Sequence, residues 1–306
     1  KQGEIHVLMG LSGSGKSTLL RAVNGLNPVV RGKVEVNDGD KMVDVTHADP
    51  ATLRRIRMRQ VAMVFQQFGL LPWRTVRENV GLGLELAGIK AREANERIDE
   101  QLSLVGLSDW ADSKVSALSG GMQQRVGLAR AFATRAPILL MDEPFSALDP
   151  LIRTKLQDEL LELQERLKRT ILFVSHDLDE AFKLGNHISI MEGGRIVQSG
   201  APQDIFTDPR NDYVAEFVQH MNPLGVLRAR DLMQPLAGQP TATIEADCLV
   251  RDGFDTLLAA NVPLGVVENG QLVGQQLQRH GIGNGGKRFV DMGHIEHGDA
   301  GAGIEA

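Results

Sequence analysis

Five short apolar runs mark the chain, at residues 5–9, 60–65, 138–141, 170–174 and 187–191. Each is rich in leucine or β-branched residues and too short for a buried helix, so each predicts a strand. Between them the apolar positions repeat three or four apart. Leu19, Leu20 and Val23 make residues 16–25 a helix, and residues 76–86, 91–105 and 122–133 read as three amphipathic helices that form a helical insert over about 75–135. Residues 151–168 predict a long charged helix whose Asp158, Glu159, Glu162 and Glu165 form a solvated face. Strands alternating with helices imply an α/β fold around a mostly parallel sheet.

Beyond residue 222 the pattern weakens. Residues 252–260 read as a helix, and residues 264–273 as a hairpin turning at Asn269-Gly270, a pair that tolerates the positive φ of a two-residue turn. After Arg279 the chain is rich in glycine and histidine, which predicts a mobile tail over 281–306. No internal repeat is evident.

Composition narrows the class. The chain has 306 residues, 42% of them hydrophobic, enough for a large core and a smaller second unit. A net charge of -6 gives no general attraction to nucleic acid or to an anionic membrane, so no nucleic-acid partner is expected and any membrane role must run through another protein. The single cysteine, Cys248, excludes an internal disulfide and fits a reducing compartment. No run reaches the length of a membrane-spanning helix.

Candidate chemistry begins where the first strand ends. Gly10-Leu11-Ser12-Gly13-Ser14-Gly15-Lys16-Ser17-Thr18 fits GxxxxGK[ST] between a predicted strand and a predicted helix. Glycines let backbone N–H groups turn toward a phosphate, and the helix start adds its positive end. Lys16 supplies a charge to the β and γ phosphates, and Ser17 offers a hydroxyl to Mg²⁺. Asp142 ends a buried strand where it can hold Mg²⁺ through water. Glu143, one residue on, is placed to act as general base on a water facing the γ-phosphate. Ser119, Gly120 and Gly121 precede another helix and form a second phosphate-binding device. One nucleotide does not need two.

Lys16, Gln66, Leu118-Ser119-Gly120-Gly121-Met122-Gln123-Gln124-Arg125, Asp142-Glu143, Ser146-Ala147-Leu148-Asp149 and His176 occur in an order that resembles the ATP-binding cassette superfamily over about residues 3–220. The resemblance implies a P-loop NTPase with a RecA-like core and a cassette-type helical subdomain. It implies ATP as nucleotide, with Gly10, Ser12, Gly13, Ser14, Gly15, Lys16, Ser17, Thr18, Ser119, Gly120, Gly121, Gln123 and Asp149 binding it. Glu143, His176 and Gln66 would be catalytic, and Ser17, Gln66 and Asp142 would hold Mg²⁺. The two phosphate devices would belong to a head-to-tail homodimer, each ATP lying between the Lys16 loop of one copy and the Ser119 loop of the other.

The span from Lys16 to Ser119 leaves no room for a coiled-coil arm, and each motif occurs once, so a transporter subunit is favoured over repair-type or tandem translation-type cassettes. Residues 66–73, Gln-Gln-Phe-Gly-Leu-Leu-Pro-Trp, with aromatics that read as exposed, would receive a transmembrane permease subunit; ordinary packing is the competing reading. The wording around 63–72, 140–153 and 173–181 resembles importers of quaternary amines such as glycine betaine, choline or proline, and Asn222-Pro223-Leu224-Gly225-Val226-Leu227 their choline-type branch. That implies a periplasmic binding protein as an indirect partner, and a position on the cytoplasmic face of the inner membrane. Arg54, Arg55, Arg57 and Arg59 are read as a solvated face.

The chain departs from the family at both ends. Only nine residues precede Gly10, with no aromatic apart from His6 to stack on adenine, so the chain is expected to be N-terminally trimmed, its 5–9 strand bereft of covering neighbours. Domains are expected at 1–222 (cassette) and 223–280, a small α+β segment resembling one degenerate CBS module where the family often has two. A soluble ATPase acting on another macromolecule is disfavoured by the acidic balance. A non-hydrolysing nucleotide switch is disfavoured by Glu143 and His176.

Overall fold

The apolar runs assemble into one sheet in the computed structural model, which describes residues 2–219, 227–233, 240, 242–250 and 264–276. The chain divides into two units, 1–221 and 222–306. In chain order the strands of the first unit are β1 (Ile5–Met9), β2 (Glu35–Asn37), β3 (Met42–Asp44), β4 (Val61–Val64), β5 (Ile138–Asp142), β6 (Thr170–Val174), β7 (His187–Glu192) and β8 (Arg195–Gly200). Six of them form a sheet in the order β4-β5-β6-β1-β7-β8, parallel except for β8, which runs back along β7. β2 and β3 pair separately.

The first strand is not an uncovered edge. Val7 lies opposite Phe173 of β6 on one side and Ile188 of β7 on the other, so β1 is interior and its backbone is paired along both sides. The expectation that it had lost its neighbours is thereby corrected. Strands closed on both flanks and covered on both faces are selected for continuous apolar runs, which is why Ile5, Val7, Leu8 and Met9 are all buried.

Nine α-helices belong to this unit among the described residues: α1 (Lys16–Val23), α2 (Pro50–Arg59), α3 (Val76–Leu86), α4 (Ala91–Leu104), α5 (Gly120–Ala133), α6 (Pro150–Leu167), α7 (Leu178–Leu184), α8 (Pro202–Thr207) and α9 (Asp212–Val218). Their starts are written in capping chemistry. Asp49, Thr75, Asp149 and Asp177 each accept a bond from an amide in the first turn, and Thr75 and Glu78 form a reciprocal capping box. α3, α4 and α5 pack on one another as the helical insert. α1 and α2 cover the sheet, where Leu8, Leu20, Ile56, Leu140 and Val174 share one buried cluster. Parallel alignment gathers the carboxyl ends of β4, β5, β6 and β1 at one end of the sheet, the end where ligands meet such folds.

In the second unit α10 (Ala229–Leu232), β9 (Thr243–Glu245), β10 (Leu264–Glu268) and β11 (Gln271–Gln276) are described. The expected hairpin is present as β10 and β11, with Asn269 and Gly270 at φ 52° and 77°. The helix expected at 252–260 and the tail at 281–306 lie outside the described residues.

Candidate functional site

Four loops leave the carboxyl ends of adjacent strands and build the site. After β1, residues 10–15 turn tightly into α1, with Gly10, Gly13 and Gly15 at φ 146°, 80° and 97°. A side chain at Gly10 is excluded, because a Cβ there would stand 2.2 Å from the Met191 carbonyl oxygen and 2.8 Å from Ser14 Oγ. Lys16 is buried, and its ammonium donates to the carbonyls of Gly10 at 2.7 Å and Leu11 at 2.9 Å. Burial lowers its pKa, opposed by the nearby charges of Glu143 and Asp142. Ser14 Oγ is buried without a hydrogen-bond partner. A buried cation and an orphaned buried hydroxyl in one glycine loop fit an anionic, oxygen-rich ligand such as a phosphate chain.

At the end of β5 Asp142 is wholly buried. Its carboxylate accepts from Ser17 Oγ at 2.7 Å and from Arg21 Nη2 at 3.0 Å. Hydroxyl and carboxylate are hard oxygen donors of the kind Mg²⁺ takes, so this pair fits that ion. Arg21 was not legible beforehand: a basic residue one turn into an amphipathic helix reads as solvated, and its partner is far away in sequence.

Glu143 adopts φ 48° and hangs between two further loops. Its Oε2 accepts from Gln66 Nε2 at 3.3 Å, and the same oxygen lies 3.3 Å from His176 Nδ1. Gln66 follows β4, and His176 follows β6. Glu143, Ser146, Arg153, His176, Asp177 and Glu180 line a common cleft. Behind it Glu180 is buried and accepts from Ser175 Oγ at 2.5 Å and Gln157 Nε2 at 3.1 Å; burial raises its pKa. A carboxylate held between an amide and an imidazole, beside a buried lysine, can orient a water and take its proton.

The structure thus brings Gly10, Lys16, Ser17, Gln66, Asp142, Glu143 and His176 to one end of the sheet, while Ser12, Gly13 and Thr18 sit exposed on the same loop and helix start. The remaining expected binders do not join them within one chain. Ser119 caps α5, accepting from Met122 N at 3.4 Å, and Gln123 Nε2 donates to the Leu118 carbonyl at 3.0 Å. Ser119 and Gly120 are exposed, and no hydrogen bond or ion pair among the described residues links 119–123 to the Lys16 loop. Asp149 caps α6, accepting from Ile152 N at 3.1 Å. In the 66–73 stretch Trp73 is 67% exposed, whereas Phe68 is half-buried. The aromatics there are therefore exposed only in part. Arg130 of α5 fixes the stretch by donating to the carbonyls of Phe68 at 2.6 Å and Gly69 at 2.8 Å.

This sheet, glycine loop and strand-end carboxylate pair define the class of P-loop nucleotide-binding proteins. Comparison with known proteins narrows it. The family profile described as ABC transporter matches residues 1–146. The glycine betaine/proline betaine transport system ATP-binding protein ProV of Escherichia coli (strain K12) is 52% identical over 232 residues, which are 76% of this chain and 57% of that protein. The trimethylamine N-oxide transport system ATP-binding protein TmoW of Ruegeria pomeroyi (strain ATCC 700808 / DSM 15171 / DSS-3) is 42% identical over 288 residues, 92% of this chain and 81% of that protein. A dimeric structure of a post-hydrolysis state of the ATP-binding cassette MJ0796 bound to ADP and Pi superposes with a TM-score of 0.62 at 35% identity, over 66% of this chain and 87% of that one. The chain belongs to the ABC transporter family, on the side of its ATP-binding proteins. It spans 57% of the length of ProV.

Proposed function

We propose that this chain is the ATP-hydrolysing subunit of an importer for a quaternary amine such as glycine betaine or choline. The observation that carries the hydrolytic reading is the Glu143 carboxylate, set 3.3 Å from both Gln66 and His176 at the sheet end that also bears Lys16. The Lys16 loop holds the phosphates, Glu143 orients the attacking water and accepts its proton, and His176 donates toward the γ-phosphate. Ser17, Asp142 and Gln66 would hold Mg²⁺, which would supply charge neutralisation to the β and γ phosphates.

The second half-site, Ser119 to Gly121 with Gln123 and Asp149, serves the nucleotide of a partner copy. The exposure of Ser119, Gly120 and Asp149 supports that reading, as do the 62% exposed Leu11 and the 79% exposed Leu151 beside the two half-sites. A permease subunit docks near Gln66 and Trp73, which places the chain at the cytoplasmic face of the membrane. Among the described residues no helix is long and apolar enough to cross it. The quaternary-amine substrate rests on the glycine betaine/proline betaine transport system named for ProV; TmoW is named for trimethylamine N-oxide, a methylated amine oxide. Residues 223–280 are read as a single degenerate CBS-like segment with a structural role.

Replacing Glu143 by Gln removes the proton acceptor while leaving the phosphate loop whole. The variant is expected to lose turnover by about a hundredfold or more and to sediment as a dimer with ATP and a monomer without it. A variant that stays monomeric with ATP and turns over at the parent rate refutes the reading.

A further inference from the structure

The hydrolytic carboxylate belongs to a residue whose backbone is in the left-handed region, a conformation that costs a non-glycine residue free energy and persists only where its surroundings enforce it. Four bonds do so. The Glu143 amide donates to the Val174 carbonyl at 3.1 Å, and its carbonyl accepts from the Ser146 amide at 3.4 Å, from Ser146 Oγ at 3.0 Å and from Gln124 Nε2 at 3.3 Å. Val174 and Ser146 are local to the site. Gln124 belongs to α5 of the helical insert.

Gln124 is only 1% exposed, and both ends of its amide are used. While Nε2 donates to Glu143, Oε1 accepts from the Ala147 amide at 3.1 Å, so one side chain bridges two points of the turn that carries the carboxylate and the 146–149 loop. Burying a polar side chain this fully is costly unless its donor and acceptor are satisfied, and here one turn satisfies both. The same helix begins at the Ser119 to Gly121 half-site, where Ser119 and Gly120 are exposed, and, further along, holds Phe68 and Gly69 through Arg130. A displacement of α5 at either place reaches Glu143 through the Gln124 amide.

We propose that Gln124 is a positioning residue, which locks the Glu143 peptide in its hydrolytic orientation and makes that orientation depend on the placement of α5. It touches no nucleotide and does not act on the phosphates. The proposal rests on the hydrolytic reading above and deepens it.

The test compares the full chain with its Gln124→Met and Gln124→Glu variants in steady-state ATP hydrolysis, alongside binding of a non-hydrolysable ATP analogue and thermal melting. Methionine keeps the length and removes both bonds. Glutamate keeps the length and the acceptor for Ala147 and, while ionised, sets an oxygen against the Glu143 carbonyl; the melting curves show which of the two variants is folded. Both are expected to lower kcat by about tenfold while KM for ATP and analogue binding stay within about twofold, because the Lys16 loop is untouched. A kcat within twofold of the parent overturns the proposal, and so does a fall in kcat matched by weakened analogue binding and a lowered melting temperature. If the parent chain itself binds ATP without hydrolysing it, the hydrolytic reading fails, an outcome separate from either result on Gln124.

Discussion

Single side chains in this molecule are decided by what they would leave unpaired. Asp142 is wholly buried, and its second carboxylate oxygen depends on Arg21, whose side chain is 38% exposed. Arg21→Ala would strand that oxygen, at a cost of about 1–3 kcal/mol given the partial exposure of the arginine and the surviving bond from Ser17. Chemical denaturation should show that loss, and ATP affinity should fall with it because Ser17 and Asp142 lose their common alignment. An Arg21→Ala protein as stable as the parent would mean that Asp142 finds another donor. Arg21 did not stand out in the sequence, and Gln124 stood inside the 118–125 motif without a role of its own. Their partners lie far away along the chain, and helical periodicity marks which face is apolar without saying which polar side chain turns inward. Lys16, Ser17 and the Asp142-Glu143 pair were legible for the opposite reason: the chemistry of each is set by its place at a strand end or helix start.

At the scale of elements, legibility followed burial. The interior strands were visible as apolar runs because both faces are covered, and residues 76–86 were visible as a helix through both their periodicity and the Thr75-Glu78 box at the start. Strands β2, β3 and β8 were not anticipated. Two have three residues each, too few to show alternation, and β8 is mostly half-exposed or exposed and carries Arg195, Gln198 and Ser199. A histidine pair lies on the two strands inward of that edge. The rings of His6 of β1 and His187 of β7 lie with centroids 4.8 Å apart, tilted by 51°, and a chain of bonds runs from His6 through Ser189 and Ser199 to His187. Burial, then the neighbouring His187, lowers the His6 pKa to about 4 from 6.5. The unfolded chain therefore takes up a proton at His6 before the folded one does. Stability is full above about pH 6.5 and declines as pH falls toward about 4. Melting curves across that window should flatten in a His6→Asn variant relative to the parent, and equal slopes would remove His6 as the cause.

At the scale of the whole molecule, the proposed dimer makes a prediction that no single-chain site can mimic. A Lys16→Ala chain and a Ser119→Arg chain are each expected to be inactive, since every site in either homodimer has one ruined half. Mixed in equal amounts, they should regain roughly one quarter of parent ATPase activity, because half the dimers are mixed and each of those has one intact site. Failure to regain activity, with mixed dimers demonstrated by differential tagging, would place the two half-sites of one chain on the same nucleotide.

The backbone of Glu143 has a consequence for how such a protein can change. At φ 48° glycine or asparagine would sit more comfortably than glutamate, yet neither could take a proton from water. Selection for heat resistance and selection for turnover thus pull in opposite directions at one α-carbon. A library screened on thermal survival alone would drift toward a sturdier chain that has stopped working, so stabilisation of this fold has to be sought elsewhere, with position 143 held fixed.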